Sequence, residues 1–249
     1  MMRNRLLILI FSIVILFSLL KIGESFYESY QNKRMYTSLQ NTFIMAPTPE
    51  IIKETTDSND RHVKRIGEKF LPLVEINDET VGWVTLSNSS IDYPIVQTSD
   101  NEFYLDHSFE RNKSKSGSIF MDFRNDQDLF NRHSILYGHH MRDGSMFSDL
   151  LKYQDENHFI ENQYITLQTL NEDTKWEIFS AYVTDTDFYY IITDFGTDDE
   201  YVEFLQEIQS KSTYESEMTL TEKDRILTLS TCAYDFDDAR FVVHARRIQ

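Results

Sequence analysis

Residues 6–20 (LLILIFSIVILFSLL) form an apolar run broken only by Ser12 and Ser18. Carried past Lys21 to Ile22, it approaches the ~20 residues that span a bilayer, with Lys21 reaching the interface along its alkyl stem. A cleaved signal peptide has an apolar segment of similar length, but Gly23-Glu24-Ser25 is a weak small-x-small cleavage site. The run therefore predicts an uncleaved anchor over residues 1–23. Arg3 and Arg5 ahead of it predict an N-terminus held inside and the remaining chain outside.

Beyond the anchor the period changes twice. Residues 24–45 place Phe26, Tyr27, Tyr30, Met35 and Leu39 at roughly helical spacing, which predicts a helix leaving the membrane. Residues 46–60 hold two of the four prolines in a polar cluster and read as a linker, and residues 62–70 read as another short helix. Residues 24–70 are thus a helical stalk and linker, and residues 71–249 a separate domain. In that domain short β-rich runs alternate with Asn/Asp/Ser/Gly clusters, at 81–86, 91–96, 118–121, 134–137, 165–170, 176–184, 226–230 and 241–245. About eight strands predict a mainly β domain, a barrel or a sandwich. Two helical patches interrupt them, a short one at 145–153 and a longer one at 198–212. The second sets Tyr201, Phe204, Leu205 and Ile208 on one face behind an acidic first turn that suits the helix dipole.

Composition narrows the function. With 249 residues and 14% aromatics, the chain can bury a substantial core. Its 24 Lys+Arg against 41 Asp+Glu give a net charge of −17, which repels phosphate backbones and argues against nucleic-acid binding. The single cysteine excludes an internal disulfide and a multi-thiolate zinc site. In an exported chain that thiol is buried and inert, pairs with another molecule, or serves chemistry.

Cys232 ends the apolar run Ile226-Leu227-Thr228-Leu229-Ser230-Thr231-Cys232. A polar stretch follows, and Arg240 opens the next apolar run. An antiparallel pairing of those two strands brings thiol and guanidinium to one rim, as a nucleophile and a permanently charged carbonyl or anion clamp. Alone, such a pair is more often a small core residue with a surface arginine. A cysteine nucleophile needs a base or cationic partner. Of the seven histidines, His139 and His140 follow Tyr137-Gly138 at the end of a predicted strand, where the glycine is expected to let the backbone turn and present His139. Metal binding by the His-His pair lacks a third ligand at suitable spacing. His244 lies inside the last predicted strand and reads as structural.

Three runs, Thr228-Leu229-Ser230-Thr231-Cys232, Tyr137-Gly138-His139-His140 and Arg240-Phe241-Val242-Val243, resemble the signatures of sortases. These are membrane-anchored cysteine transpeptidases of Gram-positive bacteria. The resemblance runs from about residue 76 to 248 and is closest to class B. Val81-Gly82-Trp83, Ile91-Asp92-Tyr93-Pro94-Ile95-Val96-Gln97, residues 117–124, Thr193-Asp194-Phe195 and the helix at 198–212 support it.

The resemblance implies a closed, mainly antiparallel eight-stranded β-barrel with N-terminal helices and a helix before the penultimate strand. It implies Cys232 as nucleophile, His139 as catalytic histidine and Arg240 as catalytic arginine. Asn101, Leu105, Tyr137, Tyr190, Ile191 and Ser230 match positions lining the sorting-signal groove. The implied reaction cleaves a sorting pentapeptide of secreted proteins after threonine and transfers the acyl fragment to a peptidoglycan amine, with no metal or organic cofactor. Its partners are then sorting-signal-bearing surface proteins and a peptidoglycan precursor, met outside a single-pass membrane anchor. Two alternatives stay open: a cysteine hydrolase with water as acceptor, and a catalytically silent, membrane-tethered binding module.

Overall fold

The computed structural model describes residues 2–45, 67–185, 187–232 and 239–248, with the backbone alone for residues 2–6, 8 and 232. The expected linker at 46–60, the start of the expected helix at 62–66 and residues 233–238 after Cys232 lie outside the described residues.

Helix α1 runs unbroken over Met2–Met45. It is long and apolar enough to cross a membrane, and its apolar N-terminal half is exposed. Its second half packs on the barrel. Tyr36 and Leu39 are buried, and Phe43 stacks on Trp83 with ring centroids 4.2 Å apart. Gln40 donates Nε2–H to the Asp92 carbonyl at 2.8 Å, and Asn32 donates to the hydroxyls of Ser114 and Ser116. The stretch expected as a stalk is thus also one wall of the domain.

Eight strands follow, each overlapping a predicted run: β1 Thr80–Leu86, β2 Asp92–Val96, β3 Ile119–Met121, β4 His133–Tyr137, β5 Tyr164–Thr169, β6 Asp173–Thr184, β7 Ile226–Cys232 and β8 Arg240–Arg247. They close into a barrel in the order β1-β2-β3-β4-β7-β8-β6-β5. The barrel is mixed: β2–β3 and β4–β7 are parallel and the remaining neighbours antiparallel. Closure removes free strand edges, which an open sheet would expose to pairing with other chains.

Short helix α2 covers Leu71–Ile76. The patch expected at 145–153 is a 3-10 helix at Ser148–Gln154, followed by an unexpected short helix α3, Glu156–Glu161, capped by the Asp155 carboxylate on the His158 N–H. Helix α4, Asp198–Ser210, begins at Thr197, whose hydroxyl accepts from the Glu200 N–H. It buries Tyr201, Phe204, Leu205 and Ile208 as its spacing predicts.

Strand β6 serves two cores, one on each face, and a bulge interrupts its pairing with β8 between Ile178 and Ser180. The inserted residue shifts the inward phase of the strand. Trp176 and Ile178 point into the barrel before it, and Ala181 after it. Phe179 and Tyr182 face outward, Phe179 against Tyr201, Phe204 and Ile208 of α4, and Tyr182 against Tyr190 and Val242. The segment between β6 and α4 is thereby seated beside β7 and β8, where the site lies.

Candidate active site

Three neighbouring strands set out the predicted catalytic residues. In the antiparallel pair β7–β8, Cys232 is the register partner of Arg240. In the parallel pair β4–β7, Tyr137 is the partner of Ser230, and the Gly138 N–H continues the ladder to the Ser230 carbonyl at 3.2 Å. His139 and Cys232 each lie two residues beyond that Tyr137–Ser230 pair, in the same direction. His139 follows the end of β4, Cys232 ends β7 and Arg240 opens β8, so the three come to a single barrel rim, with Cys232 and Arg240 on paired strands about 4.8 Å apart. His139 donates its Nε2–H to the Leu105 carbonyl at 2.6 Å. Arg240 is half-buried and its Nη1 donates to the Ala239 carbonyl at 3.1 Å.

The reason for Gly138 differs from the one expected. Among the described residues the glycines with positive φ are Gly117 and Gly144, so Gly138 does not make a left-handed turn. A Cβ at Gly138 would instead collide with Ile119 Cδ1 and come within 2.9 Å of the Phe147 ring. Glycine is required because side chains close in from both sides. His140 pairs with Met146 in an isolated bridge and lines a cleft of about 890 Å³ between α1 and the loop after His139. Burial pushes its imidazole below the ordinary pKa.

The six residues expected in a groove gather around the same rim. The Tyr190 and Ser230 hydroxyls lie 2.7 Å apart. Leu105, in the 3-10 turn Phe103–Leu105, is exposed and carries the carbonyl that His139 engages. Asn101 donates Nδ2–H to Asp122 Oδ2 at 3.0 Å, and the Tyr137 hydroxyl donates to the same oxygen at 2.9 Å. Burial and the neighbouring carboxylate hold the Tyr137 phenol well above its usual pKa. The Ile191 carbonyl accepts from Arg124 Nη2 at 3.0 Å. Burial would raise the Asp122 carboxyl, but hydrogen bonds from the Arg124 side chain and backbone outweigh it and leave its pKa below the usual value.

Asp122 and Arg124 drew no role from the sequence, although both stand in the run after β3. The available signal was an Asp-x-Arg pair directly following a wholly apolar strand. His133, the first residue of β4, is fully buried. Its Nδ1–H donates to the Ile192 carbonyl at 2.6 Å, and its Nε2 accepts from the Thr228 hydroxyl, also at 2.6 Å. The Thr228 oxygen accepts from His244 Nδ1 at 2.7 Å, and His244 Nε2 accepts from the Tyr182 hydroxyl at 2.8 Å. One orientation, Tyr182→His244→Thr228→His133→Ile192, satisfies every donor and acceptor with both imidazoles neutral. Burial pushes His133 down to about 4 and His244 well below 6.5. His244 is structural, as its place in the strand predicts.

A closed barrel that carries cysteine, histidine and arginine at one rim, with an apolar N-terminal helix, has the architecture of a thiol acyl-transfer enzyme. A family profile described as the Sortase domain matches residues 84–248. Sortase B of Listeria monocytogenes is 35% identical over 238 residues, covering 94% of this chain and 92% of that protein. Sortase B of Staphylococcus aureus is 38% identical over 244 residues, covering 97% and 95%. Among solved structures, sortase B from Bacillus anthracis in complex with AAEK2 aligns with a TM-score of 0.79 at 42% identity, covering 88% of this chain and 97% of that one. A Staphylococcus aureus sortase B–substrate complex aligns at 0.77 with 38% identity, covering 90% and 99%. The chain belongs to the sortase family, in its class B branch. It is a sortase-type cysteine transpeptidase acting on sorting-signal substrates.

Proposed function

We propose that Cys232 is the nucleophile, His139 the proton carrier and Arg240 the carbonyl clamp of a transpeptidation that anchors secreted proteins to the cell wall. The observation that supports this reading is the meeting of the end of β4, directly before His139, with Cys232 at the end of β7 and its register partner Arg240 at the start of β8. Cys232 is also the one cysteine in the chain. The Cys232 thiolate attacks the threonine carbonyl of a sorting pentapeptide, and Arg240 stabilises the developing oxyanion. The C–N bond breaks as His139 protonates the leaving amine, which leaves a thioester on Cys232. An incoming peptidoglycan amine attacks the thioester and loses its proton to His139. The C–S bond then breaks and the thiolate returns. The groove for the pentapeptide is lined by Asn101, Leu105, Tyr137, Tyr190, Ile191 and Ser230. The apolar half of α1 anchors the chain, with the barrel outside the cell, because Arg3 and Arg5 precede the span.

The test uses the full chain in detergent micelles with quenched peptides that carry threonine-containing pentapeptides, with and without a glycine or diamino-acid peptide. Mass spectrometry should find the threonine-ended fragment joined to the amine, and Cys232→Ala should form neither product. Normal turnover by Cys232→Ala would remove the assignment. A product made only with water at saturating amine, across several amines, would make the enzyme a hydrolase.

A further inference from the structure

We infer that Asp122 is a positioning residue for the sorting signal: it locks the side chains and backbone of three separate segments into one groove wall. The inference rests on the proposed groove and goes beyond it, since Asp122 itself is fully buried. Its Oδ1 accepts from the Arg124 N–H at 3.0 Å and from Arg124 Nε at 2.8 Å. Its Oδ2 accepts from Arg124 Nη2 at 2.7 Å, the Tyr137 hydroxyl at 2.9 Å and Asn101 Nδ2 at 3.0 Å. Five donors converge on one carboxylate. Three segments distant in sequence meet there: the loop before the Phe103–Leu105 turn, the end of β4, and, through Arg124, the segment between β6 and α4. Arg124 extends the reach with Nη2 on the Ile191 carbonyl and Nη1 on the Tyr189 hydroxyl at 3.1 Å.

The direction of these bonds matters as much as their number. An ionised carboxylate only accepts, so every neighbour must turn a donor toward it. The Tyr137 proton is committed to Asp122, so Tyr137 offers a substrate its ring and not its hydroxyl proton. The Asn101 amide is fixed at both ends, because Oδ1 also accepts the Phe123 N–H at 3.0 Å. One Nδ2–H of Asn101 is left to meet a substrate carbonyl. On the solvent side the same network holds two rings, Phe123 and Tyr189, both about half exposed. Exposed rings on pinned backbone are suited to gripping a peptide at little entropic cost.

Replacing Asp122 with asparagine preserves shape and reverses polarity at one oxygen. An NH₂ at the Oδ2 position opposes Arg124 Nη2, Tyr137 and Asn101. If Asn101 flips to accept from it, Asn101 Nδ2 then faces the Phe123 N–H. An NH₂ at the Oδ1 position opposes the Arg124 backbone N–H and Nε. No orientation of the variant satisfies the network, so the groove loosens while Cys232 and Arg240, held by the β7–β8 ladder, stay in place.

The experiment compares the full chain, Asp122→Asn and Arg124→Gln in detergent. It uses the best-cleaved member of a quenched library of threonine-containing pentapeptides, and measures in parallel the labelling rate of Cys232 by a small uncharged alkylator. Asp122→Asn should raise KM roughly tenfold or more, with kcat falling less, while Cys232 labelling stays within about twofold. Arg124→Gln, at a half-buried position that leaves the Tyr137 and Asn101 bonds intact, should raise KM by a smaller factor, and the double variant should fall short of the product of the two effects. Should Asp122→Asn fail to fold, Arg124→Gln decides alone. An unchanged KM in the folded variants overturns the inference, as does a loss of activity matched by an equal loss of Cys232 labelling. Failure of the proposed catalytic reading looks different: wild-type turnover would then survive Cys232→Ala.

Discussion

The buried imidazole chain makes stability depend on pH in a window where few other groups titrate. His133 falls from 6.5 to about 4 because burial disfavours its cation, and His244 lies well below 6.5 for the same reason, with the neighbouring His133 adding to it. Both are neutral in the folded barrel, whereas the unfolded chain takes up protons below about pH 6.5. The unfolded state therefore binds more protons between 6.5 and 4, so the contribution is complete above 6.5 and is lost as pH falls. For His133 alone the full loss is about 3 kcal/mol, and about 2 kcal/mol of it is spent by pH 5. His244 adds a loss of the same sign, and so do His140 and His158, both lowered by partial burial. Unfolded carboxylates are still mostly ionised at pH 5, so the imidazoles dominate this interval. The perturbation is a shift from pH 7.5 to 5.0, applied to the chain beginning at Ser25, which keeps the packed half of α1. Equilibrium urea unfolding should show a loss of at least about 2 kcal/mol. Histidine ring-proton NMR should show the His133 and His244 imidazoles still mostly neutral at pH 5. A stability change below about 0.5 kcal/mol, or His133 and His244 titrating near the ordinary value of about 6.5, would refute the neutral, fully bonded chain.

Two further outcomes follow from the rim. His139→Ala should lower kcat/KM by about 10²–10⁴-fold, the usual worth of a positioned proton carrier, whereas His140→Ala, in the cleft beside α1, should cost far less; equal losses in well-folded proteins would remove the His139 assignment. Gly138→Ala should destabilise the domain by about 1–3 kcal/mol or more through overpacking against Ile119 and Phe147. Thermal unfolding would check this, and a variant that also carries Ile119→Val and Phe147→Leu should recover part of the loss if crowding is the cause.

The sequence by itself determined the parts whose signals are local. All eight strands follow from short apolar runs between turn-forming clusters, and the buried face of α4 follows from the spacing of Tyr201, Phe204, Leu205 and Ile208. The three runs around Cys232, His139 and Arg240 carried the family, and their hairpin-like spacing already paired Cys232 with Arg240. What depends on contacts between distant segments was decided only by the fold. The parallel pairing of β4 with β7 brings the strand end before His139 to the strand end at Cys232, although the two residues are 93 apart and nothing local fixes a parallel register. The bulge in β6 is invisible in a run whose residues suit either face of a sheet, and yet it turns Ala181 inward and Tyr182 toward Tyr190 and Val242. Gly138 shows why residue type alone misleads: its scarcity of atoms reads as freedom to turn, and the barrel uses it as space between Ile119 and Phe147. Asp122 lacked a visible role for the same reason. A carboxylate after a three-residue strand looks like a solvated turn until closure of the barrel brings Asn101, Tyr137 and Arg124 around it and removes the water they replace.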